Sequence, residues 1–213
     1  MKNYHCCATC IHYEIRKGSQ EKYYCKRLGY ATNPKHQFNC WTPKEKVRVY
    51  ELRELSINDG SDVYQMMIEI GLGDGSFANS FPTQSLEAFS KSLPHFVEVA
   101  HGMNLSVGHV PQSIYWLYVN NRPVAYGELR HHLNDKLREY GGHVGYTVRP
   151  SERGKGYGKA ILSELLLVAK GRRINEVLIT CDDDNQRSRR VIESNHGILS
   201  EIKNGICKYW VKH

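Results

Sequence analysis

The sequence predicts an α/β domain with a mixed central β-sheet flanked by helices, preceded by a small Cys-rich module. Three observations carry this expectation. Beyond residue 44 the apolar pattern switches repeatedly between a period of two and a helical one. A glycine-rich turn stands between a strand and an amphipathic helix, from Arg153 to Gly158. Five of the seven cysteines (Cys6, Cys7, Cys10, Cys25, Cys40) fall at the front of the chain.

The 213 residues allow one good-sized domain plus an appendage, and the domains are placed at 1–43 and 44–213. With 40% hydrophobic and 24% charged residues the composition is that of an ordinary globular protein, too apolar for a disordered chain. No apolar run approaches the roughly 18 residues of a membrane span, and Met1–Cys6 lacks the apolar core of a signal peptide. A cytoplasmic protein without a membrane partner is expected. Residues 1–48 carry ten Lys or Arg against three acids, whereas the two signs balance over the rest, so the whole net charge of +7 sits in the front module.

That module reads Cys7-x2-Cys10, then Cys25 and Cys40 at wide and equal spacing. A C-x2-C pair can put two thiolates on one ion, and two distant thiols can complete a tetrahedral set. About 40 residues bury little core, and such segments usually need a metal or disulfides. A reducing compartment disfavours disulfides. The expectation is a structural Zn²⁺ on Cys7, Cys10, Cys25 and Cys40, ahead of an iron–sulfur cluster, with Cys6 an alternative to Cys7. The basic residues interleaved with tyrosines also suit phosphate and base stacking, but they suit a small core equally, and four thiolates would offset much of the charge. Nucleic acid is therefore not the expected partner.

In the main domain, Val47 to Leu52 begin a strand. Ser56–Asp59 is a capping cluster before Val63, Met66, Met67 and Ile70 at helical spacing. Gly71–Ser76 reads as a loop near a cleft. Residues 84–101 read as a helix that Pro94 kinks or divides. Ser113–Val119 and Val124–Arg130 alternate as strands, joined through Asn120–Pro123. His143–Val148 is a further strand. Ile161, Leu165, Val168 and Ala169 form one face of a helix stopped at Gly171. Val177–Cys181 is a strand and 185–195 a second helix. Ile198–Ile202 and Ile206–Val211 make a hairpin around Asn204-Gly205.

The chemistry lies after the His143–Val148 strand. A Rossmann site needs G-x-G-x-x-G with an acid about 20 residues on, and a P-loop needs G-x4-G-K-[ST]; neither is present. What stands there is R-x-x-G-x-G, Arg153-Gly154-Lys155-Gly156-Tyr157-Gly158, opening a helix. Small residues let an anion approach the backbone, and the free amides of a helix N-terminus point at it with the positive end of the macrodipole. Arg153, Lys155 and Lys159 add charge suited to a ligand with several phosphates.

The run from His143 to Gly158 resembles the strand and loop of the GNAT family of N-acyltransferases, and Val177–Gly197 is similar to that family's next strand and helix. The resemblance covers about 47–213 and leaves out the cysteine module. It implies a GNAT-like acyl-CoA N-acyltransferase fold, with acetyl-CoA as co-substrate. It further implies that the pantetheine arm pairs with the backbone of Tyr146, Thr147 and Val148, that the amides of 153–159 hold the pyrophosphate, and that Asn185 and Ser188 lie beside the arm. Many members carry a tyrosine acid in the second helix; the nearest position here is Ile192. An amine acceptor needs a base, directly or through one water. Glu128 and His143, on central strands, are the candidates, followed by His131 and His132. Asp182–Asp184 fit capping better than metal binding. The expected activity is acetyl transfer from acetyl-CoA to a primary amine of a small molecule or peptide, with a homodimer left open. The alternative is a non-catalytic acyl-CoA-binding regulator whose front module binds a partner or nucleic acid.

Overall fold

The computed structural model describes Cys10, 12–18, Gln20, 22–34, 49–74 and 77–212. The chain divides into two compact units, Met1–Val49 and Tyr50–His213. The 43/44 boundary lies outside the described residues.

The first unit is a three-stranded antiparallel meander of β1 (Tyr13–Ile15), β2 (Tyr23–Cys25) and β3 (Tyr30–Ala31). Tyr13 and Tyr23 stack at 6.0 Å, and the Arg16 guanidinium lies 3.4 Å from the centre of the Tyr24 ring, so its cations and tyrosines cover one another. Cys10 and Cys25 are both buried. Cys7 and Cys40 lie outside the described residues, and among the described ones no three His, Cys, Asp or Glu side chains gather as a metal would require.

The second unit begins with β4 (Tyr50–Glu54) and α1 (Ser61–Ile70). The capping cluster does not cap: Gly60 stands at the N-cap without a side-chain bond, and Asp59 instead accepts from the Ser56 amide and from Trp116 Nε1 at 2.6 Å. Tertiary demand for a buried indole partner takes the carboxylate away from the helix end. The segment expected as a plain loop contributes to a short hairpin, in which β5 (Gly73–Asp74) pairs with β6 (Phe77–Ala78). Next comes α2 (Leu86–Ala100), one unbroken helix despite Pro94, with Ser85 accepting from the Ala88 amide as its cap.

β7 (Gln112–Val119) and β8 (Arg122–Arg130) form the central hairpin. Its turn is only Asn120-Asn121, both at positive φ (50° and 61°), a conformation asparagine tolerates. Pro123 therefore lies within β8, next to a register shift opposite Leu117/Tyr118. A short α3 (Asp135–Glu139) precedes β9 (Val144–Val148). Beyond it come α4 (Tyr157–Gly171), β10 (Glu176–Asp182), α5 (Gln186–Glu193), β11 (Ile198–Lys203) and β12 (Ile206–Lys212). Gly171 is the last residue of α4, and the left-handed residue beyond it is Arg173, at φ 62°.

The expected single mixed sheet is two sheets, ordered β4-β7-β8-β9 and β10-β12-β11, and every pairing within them is antiparallel. The mixed character comes from β9 and β10, which α4 connects as a β-α-β crossover. They meet at their starts, where the His143 amide donates to the Leu178 carbonyl at 2.7 Å. Beyond that point they do not ladder. Alternation along β7 buries both of its faces. Tyr115, Leu117 and Val119 join Ile161, Leu162 and Leu165 of α4 in one core, while Ile114, Trp116 and Tyr118 join Met66, Phe89 and Leu93 of α1 and α2 in the other. No helix among the described residues is long and apolar enough to cross a membrane.

Candidate active site

The cradle is built from the end of β9 onward. Arg149 leads into a 3-10 turn at Pro150–Glu152, and Glu69 of α1 holds that turn from outside: its carboxylate accepts from Arg149 Nε and, at 2.6 Å, from the Ser151 amide. Burial alone would raise the Glu69 pKa, but the Ser151 and Arg149 hydrogen bonds outweigh it and hold the group at about 2. Gly156 then caps α4 in the left-handed region (φ 86°), with no side chain on the helix amides. A Cβ there would touch nothing within 4 Å, so backbone conformation, not crowding, calls for glycine. An anion fits that setting: first-turn amides without a side-chain cap, flanked by Arg153 and Lys159.

From the loop a cleft of about 1000 Å³ runs between β9 and α5 toward α3 and the β5–β6 hairpin. Of the residues expected at the cofactor, Tyr146, Thr147, Val148, Arg153, Gly154, Gly156, Tyr157, Gly158, Lys159, Asn185 and Ser188 line it. Lys155 does not. Its ammonium turns back to the buried carboxylate of Glu152, at 2.8 Å. Asn185 is also the N-cap of α5, accepting from the Ser188 amide at 3.0 Å. The Tyr146 and Ser188 hydroxyls lie 3.1 Å apart, tying β9 to α5 across the cleft. Arg187, Arg190 and Thr180 line the cleft as well and escape the sequence reading. The i, i+3 spacing of the two arginines on the helix after Asn185 is the signal that could have found them.

At the other end, Glu128 of β8 faces the cleft. Arg130 pairs with its Oε1, and the Tyr126 hydroxyl donates to its Oε2 at 3.0 Å. Burial, and then the charge of Glu128, push the Tyr126 pKa well above its ordinary value, so this hydroxyl stays a donor. Arg130 also donates to the Gly141 carbonyl at 3.1 Å. The pair is thus held on several sides.

His143 is not brought to the cleft. It is buried, and its Nδ1 accepts from the Leu178 amide at 2.9 Å. Burial and then the charges of Arg138, Arg130 and His132 lower its pKa to about 4, so the ring is neutral with its proton on Nε2. His131 packs its Nε2 against Ser113 Oγ at 3.1 Å, and neither it nor His132 lines the cleft. Ile192 is fully buried in the core.

The model of the Acetyltransferase (GNAT) family matches residues 80–198, more than half of the chain, and takes in every element from β7 to α5. The chain belongs to the GNAT family. GNAT acetyltransferases also appear among solved structures of similar fold. A ribosomal-protein alanine acetyltransferase from Vibrio fischeri superposes with a TM-score of 0.57 at 14% identity, over 78% of this chain and 97% of that one. RimL, a ribosomal alpha-N-protein acetyltransferase in complex with coenzyme A, gives 0.55 at 19% identity, over 76% and 93%. The N-acetyltransferase PseH of Campylobacter jejuni in complex with acetyl coenzyme A gives 0.53 at 9%, over 77% and 99%. At these identities the likeness is one of fold. No curated protein matches the chain by sequence. Membership of the GNAT family makes the protein an acyltransferase.

Proposed function

We propose that the protein transfers an acetyl group from acetyl-CoA to a primary amine, with Glu128 as the base. One observation carries this reading: a single cleft joins the amide-bearing loop at Gly156 to the carboxylate of Glu128. A regulator that only bound acyl-CoA would have no use for a carboxylate held at the far end.

The amides of Gly154–Gly158 with Arg153, Lys159, Arg187 and Arg190 bind the phosphates, and the backbone of Tyr146–Val148 pairs with the pantetheine arm. These contacts fix the thioester against the amine, which is where much of the rate advantage arises. The amine arrives as an ammonium and gives a proton, directly or through one water, to Glu128. Its lone pair then forms the C–N bond as the C–S bond breaks. The second nitrogen proton ends on the departing thiolate, relayed by water, and the Tyr146–Ser188 hydroxyl pair faces the same cleft. Arg130 and Tyr126 orient the base. His143 acts on the fold rather than on the amine, because its Nδ1 is already engaged by Leu178.

For the first unit the reading remains a structural Zn²⁺ on Cys7, Cys10, Cys25 and Cys40, supported by the burial of Cys10 and Cys25.

Calorimetric titration with acetyl-CoA, beside Gly156→Glu, tests the reading. The parent should bind, and the variant, which puts a negative side chain into the cradle at a left-handed position, should not. Equal binding by both, or binding by neither, would sink it.

A further inference from the structure

Charge is distributed unevenly along the cleft. Among the described residues that line it, Glu128 is the one carboxylate, against six Lys or Arg. Four of those cations, Arg153, Lys159, Arg187 and Arg190, belong to the loop, the first turn of α4 and α5, where the phosphates of the proposed co-substrate account for them. Arg130 and Lys136 stand at the opposite end. Arg130 is neutralised by Glu128, so among the lining residues Lys136 leaves that end of the cleft with a net positive charge. Lys136, exposed on α3, makes no ion pair among the described residues. The surrounding wall is largely apolar, with Phe77, Val110, Leu137 and Tyr140 beside His109 and Gln112.

From this we infer that the acceptor is an amino-acid-like monoamine: its one amine for Glu128 as base, its carboxylate for Lys136, and an apolar side chain for the wall. The inference rests on the transferase reading and narrows it. A polyamine or an aminoglycoside would bring further positive charges beside Lys136 in a partly enclosed cleft, where like charges repel more strongly than in water. An anionic amine meets the opposite field, and the polar pair fixes its orientation while the apolar wall accepts its side chain.

The test measures acetyl transfer to free amino acids with apolar side chains, to their carboxamides, to short peptides with an acidic second residue and to spermidine, in parent protein and Lys136→Glu. In the parent, kcat/KM should be at least tenfold higher for a free amino acid than for its amide. Lys136→Glu should collapse that ratio to below about threefold while acetyl-CoA affinity by calorimetry stays unchanged. If acidic peptides surpass the free amino acids, or spermidine or the amides are the better acceptors, the inference is overturned and the transferase reading stands. Acetyl-CoA binding without transfer to any of the panel also overturns it, as does an unchanged ratio in Lys136→Glu. Failure of the parent to bind acetyl-CoA would instead remove the reading on which it rests.

Discussion

Glu128 and Gly145 are cross-strand partners on β8 and β9, and a Cβ at Gly145 would lie 2.6 Å from Glu128 Oε1. The absence of a side chain at 145 is therefore what makes room for the carboxylate beside Arg130. Gly145→Ala should push Glu128 aside without touching the phosphate loop. The expected outcome is a fall in kcat of roughly 100-fold, the lower range for loss of a general base, with acetyl-CoA affinity intact. Glu128→Gln should show the same split, read by steady-state kinetics and calorimetry.

His143 separates a structural role from a catalytic one. In His143→Ala the buried Leu178 amide loses its acceptor, so stability should drop by about 1–3 kcal/mol in a denaturant titration, with the remaining folded molecules still active. Loss of turnover at full stability would make His143 a base after all. The pH dependence has a definite sign. A histidine with a folded pKa of about 4, below its ordinary 6.5, favours the folded state fully above pH 6.5. That contribution is lost as pH falls from 6.5 toward 4.

Glu69 is bonded to the turn that precedes the cradle. Glu69→Gln should raise the KM for acetyl-CoA several-fold and change kcat little, because Glu69 touches the turn and not the reacting end. Its folded pKa of about 2, against an ordinary 4.5, is a depressed carboxylate. The stability it gives is present above pH 4.5 and is lost as pH falls from there toward 2. A flat melting temperature across that window in the parent, relative to Glu69→Gln, would contradict this linkage.

For the front unit, elemental analysis of untagged protein should find one zinc per chain, and Cys10→Ser or Cys25→Ser should abolish it. Protein without metal that retains its full melting profile would exclude the zinc reading.

Much of the glycine cradle is legible in the sequence because its causes are local. Arg153 to Lys159 are consecutive, and a left-handed glycine before a helix leaves its mark as R-x-x-G-x-G. Within that run Lys155 escapes the expectation, since the carboxylate that claims it, Glu152, is buried by packing rather than by sequence. Glu128 is legible as an acid on a strand, but its partners are not. Gly145 lies across the ladder, and nothing in the spacing of residues 128 and 145 announces that they face each other.

What the sequence determined by itself are the elements whose causes lie within a few residues: the Asn120-Asn121 and Asn204-Gly205 hairpins, the α4 stripe, and the glycine cradle that opens it. Tertiary structure alone decided which side chains of those elements meet solvent in the cleft. Period-two alternation gives the parity of a strand's faces, but not which face lines a cavity. His143 and Glu128 thus read alike until β10 supplies the Leu178 amide that binds the ring, and β9 supplies the gap that admits the carboxylate. Those contacts join residues far apart in the chain, and they form only when the burial of both cores repays the entropy of bringing the strands together.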